Sequence, residues 1–498
     1  MNPASQAPLA PDPVPTVAAE EHRLHKPLGT LQIWALGVGA VITGEYFGWN
    51  GGLGVAGPIG MLIATLFVCV LYLLWVMALL ELSVAMPFAG GPLAYGRRAV
   101  GPWLGFVMGW SMFLECLFAT IGTAIATGGY LYFILNLFVS GLPAELTTTV
   151  CGLFTVGVFT ALQCWGVKQQ AKIMEWMTYG AIVGLVWFWI AAWPGVRIER
   201  IFTTPTLPNG WLGVVQAIPF AIWWLVIIES VALAAEEAHE PHHTLPRGLL
   251  MAQLTLIVLV VLTWFFASSA GLDWKETGKE TNLFPLASVY QEVWPDAAHR
   301  PHVLGFCVIA LCGMIASYNG MLFAVSRQSY SLGRAGYLPA FLGQLHKTRR
   351  TPAVSIILWS VVVSGFVVWN YFNASAVTVA VLTCNLAALV WYVLAMVCLI
   401  MLRRKEPKMH RPYKVPLYPL IPAAVIAMSL LAAVIYGWMQ QPVVLWLTLA
   451  MYGLGLAWYF GWARTRLIHE APEEATARAA QQPLDPGAPD RLAARRGK

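Results

Sequence analysis

Charge is what this chain has least of: only 11% of its 498 residues are Asp, Glu, Lys or Arg, while 58% are hydrophobic. An ordinary soluble domain carries about 25% charged residues, so that class is excluded. Cysteine is sparse and scattered. The eight residues form no Cys-x-x-Cys pair, which leaves neither a zinc site nor a disulfide framework to be read, and they are expected as small apolar core residues. No Gly-Lys-Ser/Thr phosphate loop is present, so nothing points to ATP as the energy source. The polar, Pro-rich segment 1–29 has no apolar centre of the kind a cleavable signal peptide needs.

What is present is a series of long apolar runs. Twelve can be drawn, near 30–53, 58–82, 102–134, 146–166, 173–194, 211–236, 247–270, 302–326, 353–370, 376–402, 416–438 and 443–463. A membrane-crossing helix needs about 20 such residues to traverse roughly 30 Å of hydrocarbon. An all-α membrane protein with 12 transmembrane helices is therefore expected. With both termini cytoplasmic, 25 of the 30 Lys and Arg residues fall on the inner side, as the positive-inside rule requires. The net charge of +6 thus reports orientation in a lipid bilayer and gives no reason to invoke nucleic acid. Trp34, Trp103, Trp193, Trp211, Trp274 and Trp294 stand near span ends, where interfacial anchors belong.

Three carboxylates interrupt the apolar runs: Glu45, Glu115 and Glu229. An ionisable side chain at bilayer depth costs several kcal/mol unless it faces protein or water, so each marks a functional path until shown otherwise. The first run also carries Gly37, Gly39, Gly44 and Gly48, and the sixth carries Pro219 ahead of Trp223 and Trp224. A helix interrupted in mid-membrane exposes backbone groups that are tolerated only where they line a cavity. Interrupted segments at corresponding positions of two halves point to an inverted-repeat carrier.

Several loop motifs, in order, resemble the amino acid–polyamine–organocation permeases over nearly all of residues 28–465. They are Glu81-Leu82 through Gly90-Gly91-Pro92; Gly166-Val167-Lys168; Ile228-Glu229-Ser230 with Leu245-Pro246-Arg247; and Ser326-Arg327-Gln328 through Gly336-Tyr337-Leu338-Pro339. Within that superfamily the residues Ile42 to Asn50 and Ile218 to Trp223 resemble bacterial ethanolamine permeases. The resemblance implies a LeuT-like 5+5 inverted repeat with broken helices 1 and 6. It assigns 1–29 to a cytoplasmic tail, 30–402 to a ten-helix transport core, 403–464 to two peripheral helices and 465–498 to a second cytoplasmic tail. It also implies a bacterial inner-membrane transporter of a small cationic amine, neither an enzyme nor cofactor-dependent. Coupling to H⁺ through Glu229 is expected ahead of Na⁺, because the cationic substrate and a titrating carboxyl would share one pocket; unlike one proton-coupled carrier type of the superfamily, the chain has no lysine deep in span five to mimic bound sodium.

Candidate substrate contacts follow from the same resemblance: Thr43, Gly44, Glu45 and Tyr46 at the first break, Glu115 in span three, Trp223 and Trp224 in span six, and Tyr318, Asn319 and Met321 in span eight. Trp223 would lie over an ammonium group, and Asn319 would meet a hydroxyl. Glu229 is the coupling or gating candidate. In amino acid carriers of this fold the substrate carboxylate sits on free N–H groups at the first break. Glu45 in that break would repel such a group, which favours an amine lacking an acid. Glu45 and Glu115 are accordingly expected to line one acidic cage. For each acid the plainer alternative is a hydrogen-bonded structural role, and for Thr383 and Asn385 it is helix–helix hydrogen bonding. The run His239-Glu240-Pro241-His242-His243 sits at an inner span end, and no metal site is assigned to it. Glu81 and the Arg97–Arg98 pair are assigned to an inner gate or loop contact.

Overall fold

The computed structural model describes residues 28–468, apart from 88–89, 203–204, 272, 350 and 437–441, so the two tails 1–27 and 469–498 lie outside the described residues. Among the described residues the chain is helical, with no strand and one isolated bridge between Leu28 and Ala238. In chain order the helices are α1 Thr30–Val41, α2 Thr43–Tyr46, α3 Asn50–Ala85, α4 Pro92–Ala99, α5 Pro102–Phe138, α6 Ala144–Trp165, α7 Val167–Ala192 and α8 Gly210–Ile222. A 3₁₀ segment at Ile228–Glu237 follows. The series continues with α9 Pro241–Ala270, α10 Trp274–Thr277, α11 Pro285–Val293, α12 Arg300–Arg334, α13 Ala353–Phe372, α14 Ala376–Lys405, α15 Leu420–Ile435 and α16 Pro442–Gly461.

Nine of these, among the described residues, are long and apolar enough to cross a membrane. Twelve apolar runs give nine long helices for a physical reason. The first and sixth runs are broken, leaving α1 at 12 residues and α8 at 13, and the eleventh is the 16-residue α15. The expected boundary between the first two spans is a kink inside α3. Gly57 stands there at φ 72, a left-handed conformation that glycine adopts without a Cβ clash, and Pro58 restarts the helix.

The order of burial places the core. In α5, 89% of the most apolar window is buried, against 22% in the C-terminal span. α5 packs along α12, α14 and α6, while α3 runs beside α8 and α9, and α12 touches the first span and α7. α6, α7, α13 and α16 expose apolar residues such as Phe154, Ile190, Val361 and Trp446, which suits a lipid-facing surface. Trp103, Trp193 and Trp211 are likewise exposed at helix ends.

One helix end is tied by ions. Glu81, at the last turn of α3, accepts from Arg403 Nε at 2.8 Å and Nη2 at 2.5 Å, and from the Val415 N–H at 2.8 Å. Arg411 stands 3.4 Å away. Arg98 pairs with Glu406, and Arg97 donates to the Ile468 carbonyl. Both predicted contacts are therefore loop-tethering ones.

Candidate functional site

The first span opens at its centre. α1 stops at Val41, a single turn (α2) follows, Phe47 is extended at φ −162 and Gly48 turns at φ 91. A serine on α12 closes the gap between the two pieces. Ser317 Oγ accepts from the Thr43 N–H at 3.0 Å and donates to the Gly39 carbonyl at 2.7 Å. Other amides there are also engaged: Glu45 N–H with Ile42 O at 3.1 Å, Phe47 N–H with Thr43 O at 3.2 Å, and Gly48 N–H with Asn50 Oδ1 at 3.0 Å. Asn50 Nδ2 in turn donates to the carbonyls of Thr277, Lys279 and Asn282, fastening the loop after α10 to the break. Neither Ser317 nor Asn50 was singled out in the sequence as a site residue. Polar side chains within apolar runs, Ser317 beside Tyr318 and Asn319 and Asn50 after Trp49, were the available signal.

The sixth span breaks later than its proline suggests. Pro219 lies inside α8, and helical bonding fails only over Trp223–Ile227, which contains neither proline nor glycine. Ile227 adopts φ 77. That is an outlying conformation for a β-branched residue, of the kind that holds roughly 1–3 kcal/mol of strain at functional sites. The two breaks lie against each other: a Cβ on Gly44 would come within 2.5 Å of the Trp223 carbonyl oxygen.

The three acids, all fully buried, divide into two groups. Glu45 points between α3 and α9, where the Thr263 hydroxyl and the Cys69 thiol are its neighbours. Glu115 and Glu229 meet each other instead. Trp391 Nε1–H donates to Glu115 Oε2 at 2.6 Å, and the Ile227 amide, freed by the break, faces the same carboxyl. Tyr392 OH donates to Glu229 Oε1, and its own oxygen lies 3.0 Å from Tyr72 OH. The Trp75 indole packs on Tyr392 and stands beside Glu229. Glu115 Oε1 and Glu229 Oε2 have no donor, and no salt bridge reaches either acid among the described residues.

The expected cage of Glu45 with Glu115 is thus not formed. Glu45 projects from the side of the first span that faces α3 and α9, whereas Glu115 projects from α5 toward α14 and the sixth-span break. Glu229 takes the place expected for Glu45.

The remaining candidates separate in the same way. Trp223 stands at the centre: its indole lies over Gly48, reaches Gly122 of α5 and meets Phe47 edge-on at 5.4 Å. Trp223 Nε1–H has no acceptor among the described residues. A narrow cleft lined by Phe47, Gly48, Asn50, Phe220, Asn282 and Val381 runs beside it. Trp224 turns away and stacks on Trp49 at 4.5 Å. Tyr46 is wedged between α7 and α12, donating to the Ala181 carbonyl at 2.6 Å and receiving Tyr130 OH on its own carbonyl at 3.1 Å.

Thr43 Oγ1 sits 3.0 Å from Met314 Sδ and Thr123 Oγ1 3.2 Å from Met321 Sδ, tying α12 to the first span and to α5. Asn319 faces α6 and accepts from Gln163 Nε2 at 2.7 Å, and Tyr318 packs on Phe159 of the same helix. Both are therefore turned toward α6 in this conformation. Asn385 donates to the Pro219 carbonyl at 2.8 Å, a helix–helix bond of the kind given as its plainer alternative, while Thr383 Oγ1 has no partner among the described residues. In the histidine run, the His239 N–H donates to Leu28 O, so the segment helps seat the start of the first span.

The profile of the amino acid permease family matches residues 28–464. The chain belongs to that family. This permease is 26% identical to the branched-chain amino acid permease BcaP of Bacillus subtilis, over 89% of this chain and 94% of that protein. It is 25% identical to the gamma-aminobutyric acid permease of Escherichia coli, over 72% and 76%. An uncharacterised transporter of Rhizobium meliloti is 29% identical over 80% and 84%. The permease is accordingly a multi-pass membrane transporter of the amino acid–polyamine–organocation superfamily, moving a small organic solute.

Proposed function

We propose that this permease imports ethanolamine or a closely similar small alkanolamine across the bacterial inner membrane, with the entry of substrate coupled to protons. The single observation that carries the reading is the chemistry of the two breaks. At the first, the amides of Thr43, Glu45, Phe47 and Gly48 are already hydrogen-bonded, so no ready clamp for a substrate carboxylate is offered. At the sixth, two carboxyls without a salt-bridge partner among the described residues offer negative charge. A cation with no acid group suits both.

In this reading the ammonium lies between Trp223 and the Glu115–Glu229 pair. The Trp face contributes about 0.5–2 kcal/mol of cation–π attraction. The cleft along Phe47 and Asn50 is the route from outside. The architecture is twelve spans in a 5+5 inverted repeat over 30–402, with α15 and α16 peripheral and both termini cytoplasmic. Alternating access then works by moving the broken spans against the rest.

An amino acid or polyamine substrate is the rival reading, favoured by the named relatives. Uptake by the purified protein in liposomes decides between them. Saturable accumulation of labelled ethanolamine, driven by an imposed pH gradient and not competed by leucine or gamma-aminobutyrate, is expected. Robust amino acid uptake with no ethanolamine uptake overturns the substrate assignment.

A further inference from the structure

The contact between Glu115 and Glu229 deepens that reading, on which it rests for the identity of the cation. Two carboxyls adjoin in a pocket without water-exposed surface, each with one oxygen lacking a donor. Two ionised groups in such contact repel strongly, whereas one proton between them turns the repulsion into a hydrogen bond. The flanking groups fix the geometry. Trp391 Nε1–H holds Glu115 Oε2, Tyr392 OH holds Glu229 Oε1, and Tyr72 backs Tyr392. That leaves Glu115 Oε1 and Glu229 Oε2 as the oxygens left free to share a proton.

We propose that Glu115 and Glu229 act as one proton-binding unit holding a single exchangeable proton, and that this unit, rather than Glu229 alone, couples protons to the arriving ammonium. On the outer side one acid of the pair takes up a proton from water and forms an O–H bond, which leaves the unit at a charge of −1 to meet the cation; on the inner side that O–H bond breaks and the proton leaves to water with the departing cation. The titratable groups around it are Tyr72 from α3, Cys116 from α5, Cys384 and Tyr392 from α14, and Tyr452 from α16. No Lys, Arg or His forms a salt bridge with either acid among the described residues.

The full chain in liposomes allows two readouts. The first needs no substrate: infrared difference spectra across a pH jump report the protonated-carboxyl stretching band. E115Q and E229Q are each expected to remove or shift the same band, and the double variant is expected to add little to either. Additive loss of two separate bands, or a change in only one variant, overturns the unit. The second readout is the pH profile of uptake, expected to vary by up to about tenfold per pH unit in the unmodified protein and by less than about twofold in each Gln variant.

Y392F keeps both acids and is expected to move the midpoint of that profile without abolishing uptake. An unmoved midpoint counts against the proposal even if the Gln variants fail to fold. Liposomes that take up no ethanolamine but show the non-additive band would remove the substrate assignment and leave the proton unit standing.

Discussion

Replacing Gly44 by Ala tests whether the two breaks must touch. The added Cβ would lie 2.5 Å from the Trp223 carbonyl oxygen, 3.2 Å from that of Trp224 and 3.3 Å from Trp224 Cα. All three are backbone atoms of the broken sixth span, and no flexible side chain can swing aside. Ordinary contact begins near 3.4 Å, so one break must retreat by about 0.9 Å. Overpacking of this kind destabilises by about 1–3 kcal/mol, and the rigid neighbour argues for the upper half of that range. The displacement falls on Trp223, so half-saturation for the substrate should rise along with the loss of stability. Gly365→Ala is the control: it lies in α13 with nothing within 4 Å of the added atom, and Ala is favoured over Gly in a helix by about 0.5–1 kcal/mol. Thermal unfolding in detergent, followed by uptake in liposomes, compares the two. G44A with unaltered melting and unaltered half-saturation would refute the claim that the breaks are in obligatory contact.

Glu81→Gln should lower stability by about 3 kcal/mol, measured by thermal unfolding in detergent. It leaves Arg411, 6% exposed, and Arg403, 21% exposed, without their shared carboxylate, and the partial exposure of Arg403 keeps the loss at the low end for a broken buried pair. The Arg98 guanidinium, through its hydrogen bonds, holds the Glu406 carboxyl below its ordinary value of 4.5. The pair therefore adds stability above about pH 4.5 that is lost as pH falls through the lowered value. With side chains 28% and 34% exposed the gain is only about 0–1 kcal/mol, and Arg98→Ala should flatten that acid limb of the melting-temperature profile. Trp223→Leu should raise half-saturation for an ammonium substrate about 2- to 30-fold, the equivalent of the cation–π contribution, and should leave a neutral competitor unaffected.

Some of this was written plainly in the sequence and some was not. Nine of the twelve runs became long helices, and the glycines of the first span marked its break, because hydrocarbon length and missing Cβ atoms act locally. The sixth break was less legible. Pro219 drew attention, yet the helix runs through it and fails at Trp223–Ile227, where only tertiary contacts, Glu115 facing the Ile227 amide among them, hold the backbone open. The grouping of the acids was illegible for a related reason. Depth in a span can be counted along the chain, but the side of the helix a carboxylate faces depends on how spans are rotated against one another. Glu45 and Glu115 both stand mid-way along apolar runs in the sequence, yet they face different neighbours. Asn319 and Tyr318 turned out to face α6 for the same cause, while Ser317, directly before them in the sequence, faces the first break.

The Glu115–Glu229 pair also bears on why the sixth break persists. A β-branched residue in a left-handed conformation reverts to helix unless its surroundings over-determine it. Here a carboxyl from α5 faces the freed Ile227 amide, and Tyr392 of α14 fixes the next acid along the chain. The groups that keep the backbone open are thus the groups that carry the negative charge. A change in their protonation or in the cation beside them therefore alters the support of the break itself. In a carrier that moves its broken segments between two arrangements, that gives charge at the site a direct mechanical purchase on the backbone, with no relay of intervening residues required.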